Sequence, residues 1–248
     1  MIPKLFRDNW RAVKKRITYR RLANHWFTAQ EIRSLIQAVR PYTMVGFDGL
    51  ANVFELASAV IDNKIPGDFV ECGVWRGGCS AILAQVAVKC DQHRRTHLFD
   101  SFEGLPEPVG ADGVEAATHS SGKTDGKLVP IGFCAAPYEV AARLLFDVLK
   151  LPTDRVVVHR GWFQETLPSA RDSVGPIALL RLDGDWYEST KVVLENLYDS
   201  VVPGGYVVID DYGVWEGCRR AVDEFIEKRE IETPLTKVDD DVYYLRKN

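Results

Sequence analysis

Residues 68–90, DFVECGVWRGGCSAILAQVAVKC, hold the pattern that decides the fold. DFVECGV (68–74) is a short apolar run that stops in a glycine-containing turn, as a buried strand does. CSAILAQVAVKC (79–90) then reads as a helix. Outward from this strand–turn–helix unit the alternation repeats. THLFD (96–100) is a strand and YEVAARLLFDVLK (138–150) a helix, followed by strands RVVVH (155–159) and IALLRLD (177–183). YESTKVVLENLYDSV (187–201) is a helix, GYVVIDD (205–211) a buried strand, GCRRAVDEFIEKRE (217–230) a helix and DVYYLRK (241–247) a closing strand. Upstream, EIRSLIQAVR (31–40) and FDGLANVFELASAVI (47–61) have helical spacing. In the second, Leu50, Val53, Phe54, Ala57, Val60 and Ile61 share one face. Strands separated by helices specify βαβ units, hence an α/β fold with a mostly parallel central sheet flanked by helices. One α/β domain over residues 41–248, preceded by a helical extension over 1–40, is expected.

Composition narrows the function classes. With 248 residues, 46% of them hydrophobic, the chain can bury a sizeable core. Glycine (19) and proline (12) are too few for a disordered or fibrous protein. No apolar run approaches the roughly 18–20 residues of a spanning helix, and the charged N-terminus lacks the core of a signal peptide. Five scattered cysteines without a CxxC pair argue against a disulfide framework or a zinc site, and a reducing cytoplasm is the expected location. The net charge of -4 is uneven. Residues 1–40 carry ten Lys/Arg against Asp8 and Glu31, a balance of +8, which leaves -12 on the remainder. No nucleic-acid motif accompanies the basic segment, so no nucleic-acid partner is expected. Trp10, Trp26 and Phe27 are its candidate packing residues, against the body or a neighbouring subunit, and a homo-oligomer is expected.

Residues 103–137 contain six glycines, four prolines and little periodicity. A long irregular connection inside a compact domain is uncommon and is usually a functional lid or a disordered stretch; of the two, a lid is expected here.

In an open parallel sheet, ligands bind beyond the carboxyl ends of the strands. The first strand ends at Glu71-Cys72-Gly73-Val74-Trp75-Arg76-Gly77-Gly78. This is not the dinucleotide pattern G-x-G-x-x-G, so NAD is not indicated. The second strand ends at Asp100, where an acid can accept hydrogen bonds from two ribose hydroxyls. Together these features point to an adenosine-bearing cofactor. Asp183-Gly184-Asp185 follows one later strand and Asp210-Asp211 ends another. Carboxylates gathered at one rim repel, and a hard cation such as Mg²⁺ relieves them. Read singly, they are turn aspartates that cap helices.

Six blocks in order carry a resemblance: TMVGFDGLANVF (43–54), PGDFVECGVWRGG (66–78), FDSFEGLPEP (99–108), GWF (161–163), LRLDGDWYEST (180–190) and PGGYVVIDDY (203–212). Over residues 42–247 the chain resembles the macrocin O-methyltransferase family, also called TylF-like: S-adenosylmethionine-dependent enzymes that methylate sugar hydroxyls of natural products. The resemblance implies a Rossmann-like class I methyltransferase sheet and a bound Mg²⁺. It implies that Glu71, Gly73 and Gly77 surround the methionine part of the cofactor. Asp100 and Ser101 would hold the ribose, and Gly161 and Trp162 would border the adenine. It implies Asp183, Asp210 and Asp211 as metal ligands and Asp185 as general base, with a sugar-bearing small molecule as acceptor. Other members carry a loop histidine before the helix that precedes GWF. This chain has Val129-Pro130-Ile131-Gly132 there, and His119 is the only histidine in 103–137. Asp185 is therefore the first candidate base and His119 the second. His159 is expected to be structural, and Cys72 and Cys79 to be small packing residues. The alternatives are a catechol-type O-methyltransferase, which shares the Mg²⁺ logic, and a non-catalytic adenosine-binding scaffold.

Overall fold

The structure is a computed structural model that describes residues 4–91, 93–122 and 128–248, with side chains from Val13 onward. The apolar run at its centre forms β1 (Asp68–Cys72), which pairs in parallel with β2 (Thr96–Asp100) on one side and β4 (Ile177–Leu182) on the other. β3 (Val156–Arg160) extends the sheet beyond β2, and β5 (Val201–Ile209) lies parallel to β4. β7 (Tyr243–Arg246) then pairs antiparallel with β5, and the two-residue β6 (Thr236–Lys237) closes that edge. The order is β3-β2-β1-β4-β5-β7-β6. The strand order reverses at β1 and β4, and in such sheets the crevice for a ligand opens there.

Alternation along each strand divides the core into two layers. Phe69, Leu179, Tyr206 and Val208 face one cluster. It is roofed by α3 (Phe47–Asp62) and α4 (Gly78–Cys90), with Leu50, Phe54, Ile82 and Leu83 fully buried. Val70, Leu180, Val207 and Ile209 face the other, covered by α7 (Phe163–Val174), α8 (Tyr187–Leu197) and α9 (Glu216–Lys228). Glu71 and Arg181 take the same alternation as Phe69 and Leu179, so two charged side chains enter the first layer.

The N-terminal segment folds into α1 (Lys4–Leu22) and α2 (Ala29–Val39). Thr28 and Glu31 form a reciprocal capping box that starts α2. Ile32, Leu35, Ile36 and Val39 then join the first core layer. Phe27 is buried edge-on to Phe54 at 5.1 Å, whereas Trp26 stays 36% exposed. The Trp10 side chain lies outside the described residues.

Three elements differ from the sequence reading. α7 has weak apolar periodicity and carries Pro168 inside it, yet Leu167, Ala170 and Val174 pack under the sheet. The helix expected over 138–150 is α-helical only in α6 (Tyr138–Ala142) and continues as a π-helical turn through Val148. In the 103–137 stretch, a short helix α5 (Gly113–Ala117) forms where none was expected. That stretch is pinned to the body. The Trp186 indole N–H donates to the Pro106 carbonyl at 2.8 Å, and buried Asp112 accepts from the Tyr187 amide at 2.6 Å.

Candidate active site

The ladder continues one residue past the strand ends and levels three loops. The Asp183 amide donates to the Cys72 carbonyl (2.8 Å), the Gly73 amide to the Phe99 carbonyl (2.9 Å) and the Asp210 amide to the Leu182 carbonyl (2.9 Å). Gly73 has φ 94°, and a Cβ there would lie 1.6 Å from the Asp183 carbonyl oxygen. The first glycine of the turn is therefore required by its neighbouring strand. A Cβ at Gly78 would strike Thr43 and the Tyr42 carbonyl, so the 43–46 segment lies directly on the start of α4.

Asp100 fastens the glycine turn. One of its oxygens accepts from the Val74 and Trp75 amides at 2.6 and 2.9 Å, and the other from the Phe102 amide at 2.6 Å. These bonds hold Trp75 and Phe102 at positive φ. The carboxyl group is still shifted upward, because burial outweighs the three donors. The Ser101 hydroxyl accepts from the Glu103 amide and donates to the Gly104 carbonyl. Both residues line a cavity together with Glu71, Gly73 and Trp162. Gly77 and Gly161 are not among the lining residues. Gly77, at φ 88°, caps α4 against Ala141, and the Gly161 amide donates to the Asp100 carbonyl.

Arg181 sits at the centre and was not singled out from the sequence. Its Nη1 donates to Glu71 at 2.8 Å and to Asp183 at 2.7 Å, and its Nη2 lies 2.5 Å from Asp210 as an ion pair without hydrogen-bond alignment. The Ser80 hydroxyl also donates to Glu71. One cation thus faces three carboxylates, in a side chain that is 1% exposed.

A second group lies at the same rim. Carboxylate oxygens of Asp183, Asp185 and Asp211 come within 4.8 Å of one another. Asp185, which the sequence reading held apart as a base, joins this group because its backbone turns at φ 56°. Asp210, read as a ligand, instead turns to Arg181. The Trp215 indole N–H donates to Asp185 at 2.8 Å, and the Asp185 amide donates to Asp211 at 3.1 Å. Burial and mutual repulsion push Asp185 up to about 8 and Asp210 up to about 7, and Asp211 well above the ordinary range. Burial, opposed by Arg181, pushes Glu71 up to about 7. Three carboxylates that converge within this span form an all-oxygen donor set, which suits a hard divalent cation able to relieve their repulsion.

His119 stands outside the cavity. It stacks on Phe133 at 4.3 Å and meets the edge of Trp215 at 5.8 Å, with that indole between it and Asp185. His159 stacks on Phe99 at 4.1 Å and contacts the ring of His97, and burial lowers it to about 4. Cys72 and Cys79 are buried, and burial pushes both thiols upward, so they stay protonated.

A 3-2-1-4-5-7-6 sheet with an antiparallel β7, a glycine turn after β1 and an acidic rim after β4 and β5 defines a class I Rossmann-like methyltransferase. A sequence model described as Macrocin-O-methyltransferase (TylF) matches residues 14–247, and the chain belongs to that family. The match takes in most of the N-terminal segment, where the sequence blocks did not reach. The chain is 41% identical to a tetracenomycin-C 4'-O-methyltransferase of Streptomyces olivaceus, over 80% of this chain and 72% of that protein. It is 39% identical to a demethyldecarbamoylnovobiocin O-methyltransferase of Streptomyces niveus, over 83% and 76%. Among solved structures, the O-methyltransferase NovP superposes with a TM-score of 0.74 at 35% identity, over 84% and 82% of the two chains.

Proposed function

We propose that the protein transfers a methyl group from S-adenosylmethionine to a sugar hydroxyl of a natural product or glycoconjugate, with Mg²⁺ in the carboxylate rim. The observation that carries this reading is the rim itself: Asp183, Asp185 and Asp211 converge in the cavity that Glu71, Gly73 and Asp100 also line. The name of the Streptomyces olivaceus relative gives it an acceptor with a dimethoxyrhamnosyl group and a 4'-oxygen as target.

S-adenosylmethionine brings an electrophilic methyl on a sulfonium, and a divalent cation brings positive charge that lowers the pKa of a neighbouring hydroxyl. Glu71 and the Gly73 turn would border the methionine end of the cofactor. Asp100 keeps one of about four lone-pair sites for the ribose beyond the three amides it already serves, and Trp162, which lines the cavity, would border the adenine. Asp183 and Asp211 would hold the cation, with Asp210 held beside them by Arg181. Asp185 would take the hydroxyl proton: burial beside Asp183 raises its affinity for a proton, and a cation in the rim would keep it ionised until the hydroxyl delivers one. The indole of Trp215 keeps its carboxylate in place. Placement of the acceptor oxygen in line with the methyl would supply much of the rate.

The test is product analysis. The protein is incubated with methyl-labelled S-adenosylmethionine, Mg²⁺ and demethyldecarbamoylnovobiocin, and NMR locates the label. A label on a sugar oxygen supports the reading. A label on a phenolic oxygen would transfer the assignment to a catechol-type enzyme, and cofactor binding without turnover on any glycoside would favour the scaffold.

A further inference from the structure

Outside the catalytic cavity, α1 and α2 enclose a second cleft. Lys15, Arg16 and Arg20 line it from α1, Arg33 from α2 and Arg40 from the residue that follows α2. No carboxylate lines it among the described residues. The basic side chains around it are paired elsewhere: Lys14 with Asp48 at 2.7 Å, Arg21 with Glu55 at 2.5 Å and Lys89 with Glu31 at 2.6 Å. Arg16, Arg20 and Arg33 form no ion pair among the described residues. Arg16 and Arg20 stand four residues apart on one helix face, where like charges repel. The floor is aromatic, with Tyr19 edge-on to Phe47 at 5.4 Å and the Lys15 ammonium 5.2 Å from the Phe47 ring. Cations from two walls with no counter-charge form a concave anion site, and guanidinium groups match the oxygens of phosphate in pairs.

The cleft adjoins the catalytic cavity through one short segment of chain. Arg40 donates to the Val45 carbonyl at 2.6 Å, Val45 and Gly46 line the cavity, and the next residue, Phe47, floors the cleft. An acceptor that spans the 43–46 segment would present its hydroxyl at Asp185 and a distant group between α1 and α2. We propose that this cleft binds a phosphate or pyrophosphate group carried by the acceptor, so that the preferred acceptor is an anionic, phosphate-bearing sugar. The inference rests on the acceptor-methylating reading above and narrows its substrate class.

Pyrophosphate is the probe. It is titrated by calorimetry into the full-length protein with S-adenosylhomocysteine present, for wild type, Arg33→Gln and the triple Arg16→Gln/Arg20→Gln/Arg33→Gln variant. Wild type is expected to bind one pyrophosphate with an affinity that falls as salt rises. Arg33→Gln should weaken binding several-fold and the triple variant at least tenfold, while Lys228→Gln on α9 matches wild type. In turnover with free Mg²⁺ held constant, because pyrophosphate chelates the cation, pyrophosphate should raise the KM of a sugar-phosphate acceptor and leave kcat unchanged. The triple variant should raise that KM and spare the KM of a neutral glycoside. No pyrophosphate binding, or equal binding by the folded triple variant, would overturn the site. Binding that does not compete with the acceptor would make the ligand a free anion and overturn the assignment to the substrate. A wild-type oligomer that dissociates in the triple variant, with pyrophosphate ignored by both, would make the cleft a subunit interface. Pyrophosphate binding without methyl transfer to any sugar would uphold the anion site and refute the catalytic reading instead.

Discussion

Arg181 brings one guanidinium into contact with Glu71, Asp183 and Asp210 at the centre of the sheet. A charge buried this deeply is tolerable only while paired, and removal of its partner leaves the carboxylates uncompensated. Arg181→Met is therefore expected to lose about 3–5 kcal/mol of stability in urea unfolding; an unchanged midpoint would show that the network holds nothing together. Arg181→Lys should recover little of it, since a single ammonium cannot fork between three carboxylates. Asp185→Asn should leave the fold and S-adenosylhomocysteine affinity intact while kcat falls by roughly 10²–10⁴-fold. A full-rate Asp185→Asn enzyme would move the base elsewhere. The sequence made the acidic residues visible because DGD and DD follow apolar strands. It hid Arg181, which reads as one polar interruption in IALLRLD, and Trp215, which touches Asp185 from 30 residues away. Which aspartates face one another depended on the positive φ of Asp185, and a residue pattern carries no sign of that.

At the scale of elements, strands β1 to β5 were legible because each is a short apolar run closed by a turn. Helix α7 was not, because Pro168 breaks its pattern while packing against α8 and β2 decides its conformation. The 103–137 connection was legible as irregular but not as anchored. Trp186 and the Tyr187 amide grip it at Pro106 and Asp112, which lie far off in sequence. If the stretch acts as a lid, it opens around these two points. Hydrogen exchange in residues 113–122 should be fast in the free protein and slow severalfold when S-adenosylhomocysteine, Mg²⁺ and acceptor are present. Asp112→Ala should abolish that slowing and raise the acceptor KM. Slow exchange in the free protein, unchanged by ligands, would make the stretch a fixed wall.

For the whole molecule, the acidic rim sets how stability responds to pH. Glu71 and Asp210 are pushed up to about 7 and Asp185 up to about 8, well above their unfolded values near 4. The folded chain then holds protons that the unfolded chain releases, so stability in EDTA should fall as pH rises from about 5 to about 8. A bound cation replaces those protons, so Mg²⁺ should raise the Tm more at about pH 8 than at about pH 5. A Tm in EDTA that rises across this window would mean that the carboxylates are already neutralised by other groups. On the proposed reading the same rim would also govern the chemistry. The most direct measurement is single-turnover methyl transfer from S-adenosylmethionine to an acceptor glycoside, in EDTA and again after Mg²⁺ is restored. Transfer should stop in EDTA, with S-adenosylmethionine still bound, and return with Mg²⁺; an undiminished rate in EDTA would contradict the cation-assisted mechanism.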